Sequence, residues 1–262
     1  MSERAIYAIA NQKGGVGKTT TAINLGAALA ELGVPVTVID LDPQGNASTG
    51  LGVDPAERDP NSYDLLIGDA AWLAARRATA LENLSIIPAT ADLASAELDI
   101  AGRSRRTHLL ADALKTATGT ILIDCPPALG LLTLNAMVAA DSLIVPLQAE
   151  FYALEGLSQL MLTVREVRNS ANANLRIEGV LLTMADARNK LSQQVEADAR
   201  KTLGPLVFQT VVPRNVRVSE SPSHALPVIH YDPGSKGSAA YRALAQELTD
   251  RGIAQEKGTS HG

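Results

Sequence analysis

Short apolar runs punctuate the chain at residues 5–10, 36–40, 85–88, 120–124, 142–146, 176–183 and 206–212. Each is strand length and is followed by turn residues or by a stretch with helical spacing. Helical periodicity falls at residues 19–32, 106–117, 130–139, 154–170, 191–203 and 238–251. In the first of these, Ala22, Leu25, Gly26, Leu29 and Leu32 recur on one face, and Gly33 stops the pattern. Alternating strands and helices imply an α/β fold, a mostly parallel twisted sheet flanked by helices on both faces. No linker-like stretch divides the chain, so residues 1–255 read as one domain. Residues 256–262 read as a short polar tail, expected to be disordered.

The first strand runs into Lys13-Gly-Gly-Val-Gly-Lys18-Thr-Thr. Strand, glycine loop and helix is the context of a phosphate-binding loop, which makes the chain a P-loop NTPase. Glycines let backbone N–H groups turn inward around an anion, and the helix N-terminus adds its positive end. Lys18 would reach the β- and γ-phosphates, and the Thr19 hydroxyl would ligate Mg²⁺. Gln12 stands where the usual loop has its first glycine, and Lys13 is an extra cation near the loop's entrance. Lys18 already serves the chain's own nucleotide, so a second cation would help only in catalysis or assembly. The bland alternative for Lys13 is an exposed surface lysine.

Two further strands end in acids. Residues 36–40 lead into Asp40-Leu41-Asp42, whose alternation puts both carboxylates on one face if the strand continues that far. Residues 120–124 end in Asp124-Cys125-Pro126-Pro127, the form of a Walker B segment. Strand ends of a parallel sheet face the ligand crevice, so these acids are candidates to hold Mg²⁺ and to orient water. The plain alternative is a pair of solvated or helix-capping acids. Cys125, the single cysteine, excludes an intrachain disulfide and reads as a packing residue.

Composition changes the picture little. Hydrophobic residues make up 46% of the chain and aromatics only 3%, so the core is aliphatic. A formal net charge of −5 argues against a generally basic coat, though not against a local basic patch. No apolar run approaches membrane-spanning length, and the chain reads as cytoplasmic.

The lysine-bearing loop resembles the deviant Walker A loop of the ParA/MinD group of ATPases. The likeness extends through Leu129-Gly-Leu-Leu-Thr-Leu-Asn135, Pro146-Leu-Gln148-Ala-Glu150, Val212-Pro213-Arg214-Asn215 and Tyr231-Asp-Pro233. It implies a small chromosomal-type ParA ATPase using ATP and Mg²⁺, slow alone and stimulated by a partner. Gly14, Gly15, Val16, Gly17, Lys18, Thr19 and Thr20 would cradle the phosphates, and Lys13 would reach across an ATP-dependent homodimer. Thr19, Asp40 and Asp124 would serve the metal, Asp42 the attacking water, and Pro213 and Asn215 the adenine. Arg188 and Arg217 would bind double-stranded DNA without sequence preference, which implies nucleoid association. Lys190, Lys201, Arg214, Lys236 and Arg242 would extend that patch, or are ordinary surface cations. Gly234 departs from relatives that carry a basic residue after Asp232-Pro233. The expected partner is a ParB-type centromere-binding protein, with no membrane involved. A relative that positions a non-DNA cargo, or a MinD-like membrane-bound ATPase, remains an alternative on sequence. Residues 238–251 read as a helix docked on the fold rather than a membrane anchor.

Overall fold

Apolar strands bounded by turn residues bury both faces at once, and they do so here. The computed structural model describes residues 4–150 and 153–259, with side chains described for 4–150 and 156–252. The strands are β1 (Ala5–Ile9), β2 (Val36–Asp40), β3 (Arg77–Ala78), β4 (Leu84–Ile87), β5 (Thr120–Asp124), β6 (Ser142–Gln148), β7 (Arg176–Ala185) and β8 (Val207–Pro213). They form one sheet in the order β3-β4-β2-β5-β1-β6-β7-β8. Every pairing is parallel except β3 with β4. The edge strand β3 has only two residues, too few for the alternation that reveals a strand. All five positions of β2 are buried, as befits a strand covered on both sides.

Helices α1 (Lys18–Glu31), α2 (Asn46–Gly50), α3 (Ser62–Ile67) and α4 (Trp72–Ala75) precede β3. Helices α5 (Leu93–Ala101), α6 (Leu109–Ala113), α7 (Leu131–Ala139) and α8 (Ala153–Ser170) alternate with the middle strands. Helices α9 (Lys190–Leu203), α10 (Val216–Glu220), α11 (Val228–Tyr231) and α12 (Lys236–Thr259) complete the chain. One core joins Ala22, Leu25 and Leu29 of α1 to Tyr241, Leu244 and Leu248 of α12. The other joins Leu93, Leu110, Leu132, Leu160 and Val195 of α5 to α9 on the opposite face. Each large aliphatic side chain so buried contributes about 1.5–3 kcal/mol.

Three expectations shift. The helix expected over residues 106–117 is confined to Leu109–Ala113, between a turn over 104–107 in which Arg105 takes a left-handed φ of 56° and a second turn over 114–116. Strand β2 stops at Asp40, so Asp42 stands in the following loop rather than on the strand. The tail expected from residue 256 falls partly on α12, whose backbone runs to Thr259, and residues 260–262 lie outside the described residues. Among the described residues no helix is long and apolar enough to cross a membrane.

Strand β1 lies between β5 and β6, so the chain leaves it toward β2 on one side while β6 continues the sheet on the other. That reversal of direction opens a crevice at the carboxyl ends of the central strands.

Candidate functional site

The loop between β1 and α1 is pinned on two sides. Asn11 Nδ2 donates to the Pro146 carbonyl at 2.7 Å, and Asn11 Oδ1 accepts from the Lys13 amide at 3.0 Å. Thr183 Oγ1 donates to the Val16 carbonyl at 2.8 Å, tying the loop's middle to β7. Gly15 and Gly17 take left-handed φ values of 73° and 88°, which other residues rarely adopt. Val16 is buried beneath them, and Lys13, Gly14 and Gly15 face out. Lys18, the first residue of α1, is buried, and its Nζ donates to the Lys13 carbonyl at 2.9 Å. Burial lowers its pKa, while the nearby Asp124 carboxylate pulls it back up. Thr19 and Thr20 are half-buried at the same turn. Lys13 Nζ is ion-paired with Glu150, which follows β6.

Asp40 and Asp124 stand side by side in the β2–β5 register. Both Asp124 oxygens are buried without a hydrogen-bond partner. Burial drives its acid well above the usual carboxylate range, and Asp40 adds to the rise, while Thr19 and Lys18 oppose it. Asp40 differs in being well served. Its Oδ2 accepts from the Ser48 amide at 2.8 Å and from Ser48 Oγ at 2.7 Å, and its Oδ1 accepts from the Asp42 amide at 3.2 Å. Burial still lifts Asp40 to about 6 against those bonds. Asp42 Oδ1 accepts from the Gln44 amide at 3.0 Å, and its carbonyl accepts from the Gly45 amide at 2.9 Å.

An orphaned buried carboxylate beside Thr19 and Lys18 fits a bound cation, because an unpaired buried charge is otherwise unfavourable. Among the described residues no three His, Cys, Asp or Glu side chains cluster to hold a metal by themselves. That suits an Mg²⁺ completed by phosphate oxygens and waters. Cys125 is buried next to Asp124, and its thiol is pushed far up by burial, as expected of an inert packing residue.

Beside the loop lies a cavity of 130 Å³ whose walls include Gly17, Thr20, Pro213 and Asn215. Asn215 caps α10, with its Oδ1 accepting from the Arg217 amide at 2.8 Å. The pairing of Ala185 with Pro213 sets the loops after β7 and β8 next to each other. Arg188 lies in the loop after β7, and Arg217 on α10, just after β8. Arg188 is exposed, and no carboxylate pairs with its guanidinium among the described residues. Arg217 is ion-paired with Glu220 at 3.0 Å and with Asp232 at 3.4 Å. Arg242 does not extend this patch as a free cation. Its guanidinium grips Glu31 of α1 through two bonds of 2.7 and 3.0 Å and also donates to the Pro233 carbonyl.

Sequence reasoning did not single out Asn11, Ser48, Thr183 or Glu150 as site residues. An Asn two positions before a loop amide is the signature of an Asx turn, so Asn11 was open to discovery. Ser48, Thr183 and Glu150 act on residues that only the fold brings near.

The family described as AAA domain matches residues 4–177. The sporulation initiation inhibitor protein Soj of Bacillus subtilis is 52% identical over 250 residues, covering 94% of this chain and 99% of that protein. The chromosome partitioning protein ParA of Caulobacter vibrioides is 54% identical over 251 residues, covering 94% of each chain. Among solved structures, cobyrinic acid a,c-diamide synthase from Mycobacterium smegmatis with bound ADP and magnesium superposes with a TM-score of 0.81. It is 38% identical, with 93% of each chain covered. More than half identity to Soj and to a chromosome partitioning protein ParA over nearly the whole chain, joined to a lysine-bearing phosphate loop on a parallel sheet, places the chain in the ParA/Soj family of chromosome-partitioning ATPases.

Proposed function

We propose that the chain is a nucleotide-gated DNA-partitioning switch that hydrolyses ATP with Mg²⁺. The observation that carries this reading is the convergence of the glycine loop, Lys18 and the unpartnered Asp124 carboxylate at the central strand ends. Backbone amides from Gly14 to Thr20 and the N-terminus of α1 receive the phosphates, and Lys18 leaves the Lys13 carbonyl for the β- and γ-phosphates. Thr19 and Asp124 would hold Mg²⁺, with Asp40 in support, and the ion would supply positive charge against that developing on a transferred phosphoryl group. Asp42 orients the attacking water, while Pro213 and Asn215 bound the base. Lys13 gives up Glu150 and reaches the nucleotide of a second copy, so that ATP closes a homodimer.

In that dimer Arg188 and Arg217 of each copy grip duplex DNA through phosphates, interactions that are weak singly and add up in pairs. A ParB-type partner at a centromere site accelerates an otherwise slow hydrolysis and releases the nucleoid-associated dimer. Relatives named for chromosome partitioning, at 54% and 48% identity, support this cargo over the synthase activity of the 38% identical neighbour.

The test is binding of the Asp42→Ala variant to random-sequence duplex DNA, with ATP·Mg²⁺ and with ADP·Mg²⁺, across a salt series. Tight, salt-sensitive binding with ATP alone is expected. An ATP-dependent dimer that ignores DNA would overturn the DNA reading and favour a protein or membrane surface as the cargo.

A further inference from the structure

Arg58 is buried, 7% exposed, and no carboxylate pairs with it among the described residues. A guanidinium out of water without a counter-ion is retained only where its fork of donors is fully used. Here the fork grips three residues on two segments, the end of α2 with its turn and the loop past β4. Nε and Nη2 both donate to the Val53 carbonyl, at 3.2 and 3.0 Å. Nη2 also donates to Thr49 Oγ1 at 2.8 Å, and Nη1 donates to the Ala89 carbonyl at 3.2 Å, just past β4.

The guanidinium so held lies against Gly45, which closes the turn that begins at Asp42. Thr49 Oγ1 passes the link on, donating to the Gly45 carbonyl at 3.1 Å. A Cβ built on Gly45 would collide with Arg58 Nη1 and come within 3.2 Å of the Ala89 carbonyl. The far end of the Asp42 turn therefore rests directly on the guanidinium. A parallel link holds the near end: Ser48 Oγ donates to Asp40 and accepts from the Ala89 amide at 2.9 Å. Ala89 is thus held at its amide by Ser48 and at its carbonyl by Arg58, and between them the Asp40–Gly45 loop is fixed against the end of β4.

We propose that Arg58 is a positioning residue for Asp42, holding the loop so that the carboxylate meets its water at the right place. The proposal rests on the role of Asp42 in orienting the attacking water. A lysine keeps the charge but cannot span Val53, Thr49 and Ala89 with one ammonium. A small misplacement of a group that orients a reactant lowers turnover without weakening ground-state binding.

The experiment compares ATP turnover at saturating ATP and ATP affinity in the full chain for the wild type, Arg58→Lys, Thr49→Val and Asp42→Asn. Arg58→Lys is expected to lower turnover about ten-fold while ATP affinity stays within about two-fold. Thr49→Val removes only the hydroxyl between Arg58 and Gly45 and is expected to lower turnover about three-fold at unchanged affinity. It carries the test alone if Arg58→Lys fails to fold. Wild-type turnover in the folded Arg58 or Thr49 variant, with Asp42→Asn inactive, would overturn the positioning role and leave Arg58 a purely structural residue. Wild-type turnover in Asp42→Asn would instead overturn the underlying role of Asp42, and this proposal with it.

Discussion

Lys13 is ion-paired within its own subunit to Glu150, a residue contributed by the opposite side of the central crevice, just past β6. Both side chains remain more than a third exposed, at 45% and 37%. A lysine held this way is not available to another subunit's nucleotide until the pair opens. Half-exposed pairs of this kind are worth at most about 1 kcal/mol, or about five-fold in an equilibrium. Glu150→Gln should therefore let the ATP-dependent dimer form at several-fold lower protein concentration. Sedimentation of Glu150→Gln in the Asp42→Ala background, titrated with protein at fixed ATP·Mg²⁺, checks this. A weaker dimer would make Glu150 part of the assembled interface rather than a brake on it.

Asp124 gives the nucleotide-free protein a pH dependence of known sign. Its acid lies well above the usual range, chiefly through burial, and Asp40 lies at about 6 for the same first reason. An acid that holds its proton more tightly folded than unfolded supports the fold below the unfolded pKa of about 4. That support fades as the pH rises through the folded value. Without Mg²⁺ and nucleotide, the protein should lose stability to this pair on going from about pH 5 to about pH 7. Asp124→Asn should reduce the loss and melt higher than the wild type at about pH 7, while Mg²⁺·ATP no longer stabilises it. Melting curves in a chelator at several pH values read the difference. A wild-type and Asp124→Asn pair with parallel pH profiles would refute the assignment.

The placement of the glycine loop between β1 and α1, and of Asp124 at the end of β5, was legible because each is a few residues in fixed order beside an apolar strand. The central parallel strands were legible because each is a short apolar run. Whether β2 ran on to Asp42 was left open by the alternation, and it ends at Asp40, which the Ser48 hydroxyl and amide cap. Helices of four to six residues, such as α2, α4 and α10, leave no room for a helical period. Helix α3 was missed as well, although the capping box of Asn61 and Asp64 is a local signal. Arg58, Ser48 and Glu150 were not legible, because the fold alone brings Ala89 to Arg58 and Ser48, and Lys13 to Glu150.

Arg188 and Arg217 should differ in their weight at a DNA surface. Arg217 already spends its charge on Glu220 and Asp232, whereas Arg188 has no such partner among the described residues. A phosphate must displace two carboxylates to engage Arg217 but none to engage Arg188. Arg188→Ala should thus cut ATP-dependent DNA affinity more than Arg217→Ala. It should also lower the slope of log affinity against log salt by about one unit for each phosphate that is no longer neutralised. Fluorescence anisotropy across a salt series, with dimerisation checked in parallel, separates the two. A larger loss from Arg217→Ala would mean that its ion pairs open freely on binding.

Gly14 offers a test of assembly, because its part in the phosphate loop is played by its backbone amide and leaves its side-chain position open. Unlike Gly15 and Gly17, it is not in the left-handed region, so backbone strain does not demand glycine there. Nor does its own subunit, since the nearest atom to an added Cβ is Pro127 Cβ, at an ordinary 3.9 Å. Within one subunit a side chain at this exposed position is tolerated. Gly14→Val should therefore fold, melt close to the wild type and bind ATP with similar affinity. If a second subunit packs against the loop, the same side chain stands in its way, and the ATP-dependent dimer should be lost along with DNA binding. Light scattering with ATP·Mg²⁺, alongside calorimetric ATP binding, reads both halves. A normal dimer in Gly14→Val would exclude a close packing of two copies over this loop, and with it a Lys13 that reaches the partner's phosphates.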